Sequence, residues 1–268
     1  MLVSFVPALL RQCALVLLLV QVCLGATLYE RSSAQFKARA QQTHRDDYTF
    51  VVLGDSRDGD AMFKKALALA RSFHPLFILH GGDYSESGGD EETRRFLAIV
   101  NGIAPEIPLF VVMGNHENRD VFAREIGPFD FTLQSKRLGL TLVAVDNSDY
   151  ALKPAELDYL RSRLSLATGA SFVAMHVPPR TERWSWHTFT EGADDLERLL
   201  ADGRVQGAFF SHMHLYDRSV FGGVPAIITG GAGAPLVIFG FPGEAVHHIL
   251  VVRVKNGKAS FEKVRIPK

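Results

Sequence analysis

The chain has 268 residues, of which 47% are apolar and 22% charged, so it can build a sizeable core and is not expected to be disordered. Lysine plus arginine and aspartate plus glutamate both number 29, and this balance gives no electrostatic reason to expect a nucleic-acid partner. The two cysteines, Cys13 and Cys23, both lie near the N-terminus, which excludes a disulfide framework or a cysteine–zinc site in the rest of the chain.

Residues 1–28 have the pattern of a targeting segment, with an almost unbroken apolar run and Arg11 as the one charge. The run from Cys13 to Leu28 is shorter than the roughly 20 residues that cross a bilayer, and Gly25-Ala26 is typical of a signal-peptide cleavage site. We expect a signal peptide, with an uncleaved membrane anchor as the alternative, and in both cases a periplasmic or extracellular domain. Residues 29–47 are polar and predict a linker or a short juxtamembrane helix.

Strands and helices alternate from Tyr48 onward. Short apolar runs bounded by glycine predict strands at residues 49–53, 76–79 and 108–113. Between them, apolar residues recur at helical spacing over residues 61–73 and 91–103. This alternation predicts a parallel sheet with helices packed on it.

The second half of the chain is less regular. After a possible short helix at 121–126, the pattern predicts an antiparallel pair at 129–133 and 140–145, a helix at 154–164, a strand at 172–175, a helix at 194–200 and a strand at 205–210. The tail predicts strands at 224–229, 246–254 and 259–265, the last two joined by an Asn256-Gly257 hairpin turn. We expect these elements to form a second, mixed or antiparallel sheet within a single domain at residues 48–268.

Polar residues with metal-ligand chemistry follow most of the apolar strands. They are Asp55, Asp83, Asn115, His116, His176, His212 and His214. Ligands of open α/β sheets bind at the carboxyl ends of strands, so these side chains are expected to lie together at one edge of the sheet. The set holds oxygen and imidazole ligands without sulfur, which suits Mn, Fe, Zn, Ni or Co. Two carboxylates, one asparagine and three metal-binding histidines are too many for one tetrahedral ion and about right for two ions.

Each of these residues has a structural alternative when taken alone. Asp55 and Asn115 could be turn residues after their strands, and His176 could be a buried histidine with its hydrogen bonds satisfied. His212 and His214 point the same way only where the chain between them is extended. The loop after His176 carries aromatic and charged residues that form either a packed surface loop or a wall for substrate recognition, namely Arg180, Trp184, Trp186 and His187.

Five motifs in this order resemble the calcineurin-like metallophosphoesterases, which include the purple acid phosphatases. The motifs are Gly54-Asp55, Gly81-Gly82-Asp83, Gly114-Asn115-His116-Glu117, the lone His176 and the His212-Met213-His214 pair. The resemblance covers about residues 48–268. It implies two stacked mixed sheets flanked by helices in a four-layer α/β sandwich.

The resemblance also implies ligands for two divalent or trivalent ions of Mn, Fe or Zn. Asp83 would bridge both ions. The first ion would also bind Asp55 and His214, and the second would also bind Asn115, His176 and His212.

Catalytic roles are implied for two residues: Asp83 would bridge the metals, and His116 would protonate the leaving group or hold the phosphate. Glu117 would orient its loop. The implied activity is hydrolysis of phosphate mono- or diesters by a hydroxide bound to two metals. The expected substrate is a small-molecule or lipid-linked phosphate ester, and membrane contact is expected only with an uncleaved N-terminal segment.

Arg57 departs from the family pattern. Most members have a histidine at this position, and the purple acid phosphatases instead have a tyrosine at the position of Glu86. Water, Ser56 or Asp58 could complete the first metal site, that site could bind metal weakly, or Arg57 could contact the substrate phosphate through its two-pronged guanidinium. We favour an enzyme with Arg57 on the phosphate. The alternatives are a catalytically impaired phosphate-binding protein with a weakened first metal site, and a metallohydrolase acting on another bond.

Overall fold

The computed structural model describes residues 25–45, 47–202, 205–237 and 240–267. The predicted targeting segment lies outside these ranges except for its last four residues. Within the described ranges, no helix is both long and apolar enough to span a membrane.

Six helices and eleven strands make up the described chain. The first half contains α1 (Leu28–Gln42), β1 (Asp47–Leu53), α2 (Asp60–Ser72), β2 (Ile78–His80), α3 (Asp90–Ile103), β3 (Leu109–Val111) and α4 (Arg119–Val121), which continues into a π-helical turn (Phe122–Ile126). The second half contains β4 (Phe131–Ser135), β5 (Leu140–Ala144), α5 (Pro154–Ser165), β6 (Ala170–Ala174), α6 (Ala193–Asp202), β7 (Val205–Phe210), β8 (Tyr216–Phe221), β9 (Val224–Thr229), β10 (His248–Lys255) and β11 (Lys258–Arg265).

The strands form two mixed sheets. The five-stranded sheet has the order β11-β10-β1-β2-β3, and the six-stranded sheet has the order β4-β5-β6-β7-β9-β8. Strands β1, β2 and β3 pair in parallel, and so do β5, β6, β7 and β9. In both sheets the parallel strands therefore open their carboxyl ends at a common edge, where a ligand site is expected.

Three apolar clusters separate four layers. The central cluster lies between the sheets and includes Phe50, stacked on Phe77 at 4.8 Å and edge-on to Phe172 at 5.1 Å. A second cluster joins the five-stranded sheet to α2 and α3, and a third joins the six-stranded sheet to α5 and α6. The layer order is helix, sheet, sheet, helix, as the resemblance implied.

Helix α1 lies in the segment, residues 29–47, that was expected to be a linker or a short juxtamembrane helix. A capping box at Thr27 and Glu30 starts the helix, because each residue accepts a hydrogen bond from the backbone N–H of the other. One face is buried against the domain through side chains spaced four residues apart, namely Leu28, Ser32, Phe36 and Ala40. The folded domain therefore begins at α1, about 20 residues earlier than the expected boundary at residue 48.

The tail strands were expected in the second sheet, and this was wrong for two of them. Strand β10 pairs antiparallel with β1, and β11 pairs with β10, so both extend the first sheet. Only β9 belongs to the second sheet, where it pairs with β7 and with β8. Strand β8 was not predicted, because this edge strand is largely polar and partly exposed.

Candidate metal centre

The candidate site lies where strands from both sheets end. Asp55 follows β1 and Asp83 follows β2, while Asn115 and His116 follow β3. From the other sheet, His176 follows β6, and the His212–His214 pair follows β7. All seven polar residues singled out in the sequence thus lie at one edge of the sandwich.

Tight backbone turns hold three of these side chains in place. Asp55, Asp83 and His212 all have left-handed backbone conformations, with φ of 57°, 55° and 66°. Such values are uncommon outside glycine and cluster at functional sites, where the surrounding structure compensates their cost. The chain between the two histidines is not simply extended, because Met213 N–H donates to Ser211 O at 2.7 Å.

Close contact between the sheets explains two of the motif glycines. A side chain on Gly54 or Gly81 would put its first carbon 2.2 Å or 2.0 Å from Ser211 Oγ. These glycines therefore let the turns after β1 and β2 approach the turn after β7. Ser211 itself occupies a position where the family usually has glycine, and it is fully buried.

Two groups of three side chains have ligand atoms within 4.8 Å of one another. One group is Asp55, Asp83 and His214, and the other is Asp83, His176 and His212. Asp83 belongs to both groups, so the two share a carboxylate. Asn115 joins the second group, since its Oδ1 lies 3.0 Å from His176 Nε2.

Each of the three histidines uses one ring nitrogen for support and presents the other to the cluster. His176 Nδ1 lies 2.8 Å from Gly81 O, and His214 Nδ1 lies 2.8 Å from Pro235 O, so each Nδ1–H donates and frees Nε2. His212 Nε2 lies 2.9 Å from the Tyr150 hydroxyl, and its Nδ1 faces His176. Metal-binding histidines in proteins are oriented by the same kind of hydrogen bond from the other nitrogen.

The electrostatics of the cluster favour positive charge at its centre. Burial alone would lower the pKa of His176, but the Asp83 carboxylate, 3.3 Å from Nε2, raises it to about 9. Burial would likewise raise the pKa of Asp83, yet the charge of His176 holds it well below its usual range. Burial raises the pKa of Asp55, and it lowers the pKa of His212 to about 3 with a further contribution from the charge on His176. Asp55 Oδ1 is buried without a hydrogen-bond partner. This donor set therefore fits metal cations.

Arg57 contacts His116 and Glu86 at the mouth of the site, by which we mean the opening of the cavity over the two ligand groups. Its Nη1 lies 2.9 Å from Glu86 Oε2, and 2.6 Å and 2.9 Å from Nε2 and Nδ1 of His116. His116 Nδ1 also lies 2.8 Å from the backbone oxygen of Glu86, to which it can donate. The two positions that carry a metal ligand in one or other family pattern, Arg57 and Glu86, are thus paired with each other here.

Glu117 fixes the turns that carry Asp83 and Asn115. Its buried carboxylate accepts hydrogen bonds from the backbone N–H groups of Asp83, Tyr84, Ser85 and Gly114 and from the Ser85 hydroxyl. Burial and the charge of Asp83 raise the pKa of Glu117 to about 7, whereas these donors favour the charged form. A single side chain therefore ties the end of β2 to the end of β3.

Sequence reasoning missed two supporting residues. Asn147 is fully buried, and its Oδ1 accepts from the N–H groups of His176 and Val177 at 3.0 Å. Tyr150 places its hydroxyl on His212 from a left-handed turn with φ 64°. An Asp-Asn-Ser turn after a strand carries no signal for such contacts, because the partners lie about 30 and 60 residues away in sequence.

One part of the loop after His176 packs in the core, and another part lines the cavity. Trp184 is buried, and its ring N–H donates to Asp217 at 2.7 Å, next to the paired bonds from Arg183 to the same carboxylate. Trp186 is 69% exposed. His187 lines the cavity over the cluster, together with Tyr150 and Phe241. Of the four loop residues expected either as packing or as a wall, only His187 reaches the cavity.

A family model described as calcineurin-like phosphoesterase matches residues 48–216 of the chain. A comparison with curated proteins gives no significant match. The match to the family model spans the Gly-Asp, Asn-His and His-x-His motifs, and therefore every residue of the two ligand groups.

Solved structures share the fold at low sequence identity. The chain is similar to GAP50, the anchor in the inner membrane complex of Plasmodium, with 15% identity over 84% of this chain and 86% of that one and a TM-score of 0.64. It is also similar to the purple acid phosphatase PPD1 from yellow lupin seeds, with 14% identity over 82% of this chain and 52% of that one, and a TM-score of 0.64. A dimetal phosphatase from Danio rerio gives 12% identity over 82% and 97% of the two chains, again with a TM-score of 0.64. On the strength of the family match, the chain is a member of the calcineurin-like phosphoesterase family.

Proposed function

We propose that this protein hydrolyses phosphate mono- or diesters with two metal ions held in the two ligand groups. Asp55, Asp83 and His214 would hold the first ion, and Asp83, Asn115, His176 and His212 the second. Such ions would supply the charge that binds phosphoryl oxygens and acidifies a water molecule. The single observation that carries the proposal is the shared carboxylate of Asp83 between two groups of mutually close ligand atoms. As the N-terminal pattern suggests, the enzyme would act after export.

Arg57 would bind the substrate phosphate. Its side chain is only 17% exposed at the mouth, and the carboxylate that pairs with it, Glu86, is itself half exposed. An incoming phosphate offers Arg57 paired charge-assisted hydrogen bonds in place of its single bond to Glu86. Movement of Arg57 onto the phosphate would also free His116 Nε2, which Arg57 Nη1 contacts at 2.6 Å.

His116 would then act on the leaving group. Its Nε2 lies 3.9 Å from Asp83 Oδ2, so the ring stands beside the ligand cluster rather than inside it. The hydrogen bond from Nδ1 to the Glu86 carbonyl orients the ring, and a proton delivered from Nε2 would neutralise the departing oxygen.

The position of Arg57 also supports a second candidate function. Burial lowers the pKa of His214, and the positive charge of Arg57 lowers it further. The same charge would disfavour a metal cation at the first site. A protein that keeps only the second ion would bind phosphate without turning esters over. Under this hypothesis the chain is a catalytically impaired phosphate-binding protein on the same fold.

Hydrolysis of simple phosphate esters after loading with Mn²⁺, Fe²⁺ or Zn²⁺ tests the proposal. We expect turnover that orthovanadate inhibits and that Asp83→Asn reduces by at least about a hundredfold, because both metal groups lose the shared carboxylate. Asp149→Asn is the matched control, since this exposed carboxylate forms a surface ion pair with Lys153. Absence of turnover in the loaded wild-type protein, with phosphate still bound, would favour the impaired phosphate-binding protein.

A further inference from the structure

The cavity over the ligand cluster has an aromatic side. Beside the histidines of the ligand cluster, the rings of Tyr150, His187 and Phe241 line this side, and we call these three rings the aromatic shelf. The Tyr150 and His187 rings lie 5.2 Å and 5.7 Å from the His212 ring, and the His187 and Phe241 rings lie 5.8 Å apart. These separations fall in the range at which aromatic rings attract one another, so the shelf is continuous, with Tyr150 and His187 joined through the His212 ring.

Backbone strain indicates that the shelf is a built feature. Tyr150 and His187 both have left-handed backbones, with φ of 64° and 52°. Bulky residues rarely adopt this conformation, and where they do the position is often functional. Neither ring is required to fill the core, since Tyr150 is 39% exposed and His187 is also exposed.

The segments that carry two of the rings are tied to each other and to the sandwich. Leu152 N–H donates to Glu191 O at 2.9 Å, which joins the Tyr150 turn to the end of the His187 loop. The same loop is anchored through buried Trp184 and its hydrogen bond to Asp217. The rings of Tyr150 and His187 are therefore held at the mouth by fixed structure, which lowers the entropy cost of binding a ligand.

The cavity is small, with a volume of about 240 Å³. This volume lies below the range of roughly 300–1,000 Å³ typical of drug-sized ligand sites. A phosphate over the ligand cluster leaves space for one compact group beside it. Because the neighbouring wall is aromatic and the polar groups of the mouth belong to the phosphate side, a flat ring would complement the wall best.

We infer that the preferred substrate is a phosphate monoester whose leaving group carries an aromatic ring, and that the ring packs on the shelf of Tyr150, His187 and Phe241. This inference rests on the proposed phosphoesterase function and narrows it to a substrate class. Phe241 and His187 act as specificity residues. Tyr150 contributes its ring and also positions His212 through its hydroxyl.

Two esters with leaving alcohols of similar acidity, compared in the wild type and in variants, separate ring recognition from leaving-group chemistry. We expect kcat/KM for 2-phenylethyl phosphate to exceed that for n-butyl phosphate by about tenfold, the value of one well-packed aromatic contact. Phe241→Ala and His187→Ala should each bring this ratio towards one. Trp186→Ala is the matched control, since this exposed aromatic residue sits next to His187 in sequence but does not line the cavity, and it should leave the ratio unchanged.

Binding of the corresponding phosphonates, which cannot be hydrolysed, gives a readout that needs no turnover. Calorimetry should show 2-phenylethylphosphonate binding about tenfold more tightly than butylphosphonate, and Phe241→Ala should remove the difference. Equal kcat/KM for the two esters, or a phosphonate preference that survives Phe241→Ala, would overturn the shelf while leaving the phosphoesterase proposal intact. Absence of turnover with a retained phosphonate preference would overturn the phosphoesterase proposal alone.

Discussion

Arg57 is the main departure of this chain from the family pattern. It stands where most members carry a metal-binding histidine, and it pairs with Glu86, which stands where the purple acid phosphatases carry a tyrosine. An ion pair therefore occupies the positions from which a further ligand for the first metal would come. We interpret the pair as a phosphate clamp, by which we mean that Glu86 holds Arg57 in place until Arg57 moves onto the substrate phosphate. The positive charge of Arg57 would lower the metal affinity of the first site.

Replacing Arg57 tests whether this residue binds the substrate phosphate or only contributes a positive charge to the structure of the site. Arg57→Ala should raise KM for a phosphate ester by about ten- to a hundredfold, the loss of charged hydrogen bonds worth roughly 1.5–3 kcal/mol. The metal content should not fall, because the change removes a positive charge from beside the ligands. Arg198→Ala, which removes an exposed arginine paired with Asp195 on α6, is the control for KM and metal content measured together. A normal KM, or outright loss of metal, would refute the clamp.

Glu86 supplies a complementary expectation. Glu86→Gln removes the charge that competes with phosphate for Arg57, so inorganic phosphate should inhibit this variant at about three- to tenfold lower concentration, as expected for loss of a half-exposed ion pair. The backbone oxygen that orients His116 is retained in the variant. Unchanged inhibition by phosphate would show that the ion pair does not restrain Arg57.

The sequence identified the polar residues of the cluster but not the residues that orient them. The seven polar residues were visible because each follows an apolar strand within a short motif, and strand ends at one sheet edge meet. Asn147, Tyr150 and the Arg57–Glu86 pair were not visible, because their contacts form only when distant strand ends come together. Roles of single side chains in a shared cluster depend on such three-dimensional contacts.

Among the helices, α1 was the element that sequence patterns described least well. Its polar composition suggested a linker or a short juxtamembrane helix, yet one face is buried in the domain and packs Phe36 edge-on against Phe77 and Phe110 at 5.8 Å and 6.2 Å. The buried Ser32 hydroxyl donates to Leu109 O at 2.8 Å and accepts from Leu109 N–H at 3.1 Å. A serine thus satisfies both backbone groups at the outer edge of β3, which a composition-based prediction does not register.

Helix α1 should be required for a stable domain. Ser32→Ala should lower the free energy of unfolding by about 1–3 kcal/mol, because it leaves two buried backbone groups of β3 unsatisfied. Urea denaturation measures the change, and Ser165→Ala, at an exposed position of α5, is the control, since its hydroxyl donates to Ser162 O within the same helix. A chain that starts at residue 43 should lose more than this single substitution does. Equal stability with and without residues 28–42 would contradict the assignment of α1 to the domain.

The tail strands mark the limit of prediction for the sheets. Their existence followed from the hydrophobic pattern, and their Asn256-Gly257 turn followed from turn chemistry. The pattern of a buried strand does not, however, determine which strand it pairs with. Strand β10 is buried over most of its length and fits beside β1 as well as in a second sheet. The choice depends on long-range packing, which periodicity does not encode.

For the molecule as a whole, buried neutral histidines should set the acid limit of stability. His248 is fully buried, with Nδ1–H donating to Val246 O and Nε2 accepting from the Thr229 hydroxyl, and burial lowers its pKa to about 4. Between this value and about 6.5, the usual pKa in the unfolded chain, the unfolded state binds a proton that the folded state does not. The stability that neutral His248 contributes is therefore complete above about pH 6.5 and is lost as the pH falls towards 4.

The slope of stability against pH measures this effect. His248 should contribute at most about 1.4 kcal/mol per pH unit, and the slope should come nearest to this value in the middle of that window. His248→Gln should remove this share of the slope in urea denaturation between pH 4 and 7, whereas His44→Gln, at an exposed position, should leave it unchanged. A slope in His248→Gln identical to that of the wild type would contradict the assignment.

The two sheets meet at the candidate metal centre, and the proposed chemistry depends on both. Asp55, Asp83 and Asn115 come from one sheet, and the three histidines of the ligand groups come from the other. Anomalous X-ray scattering from crystals loaded with Mn²⁺ tests this arrangement most directly. We predict two manganese peaks, one in each ligand group, with the Asp83 carboxylate between them. A single peak, or no peak among these residues, would contradict a two-metal centre.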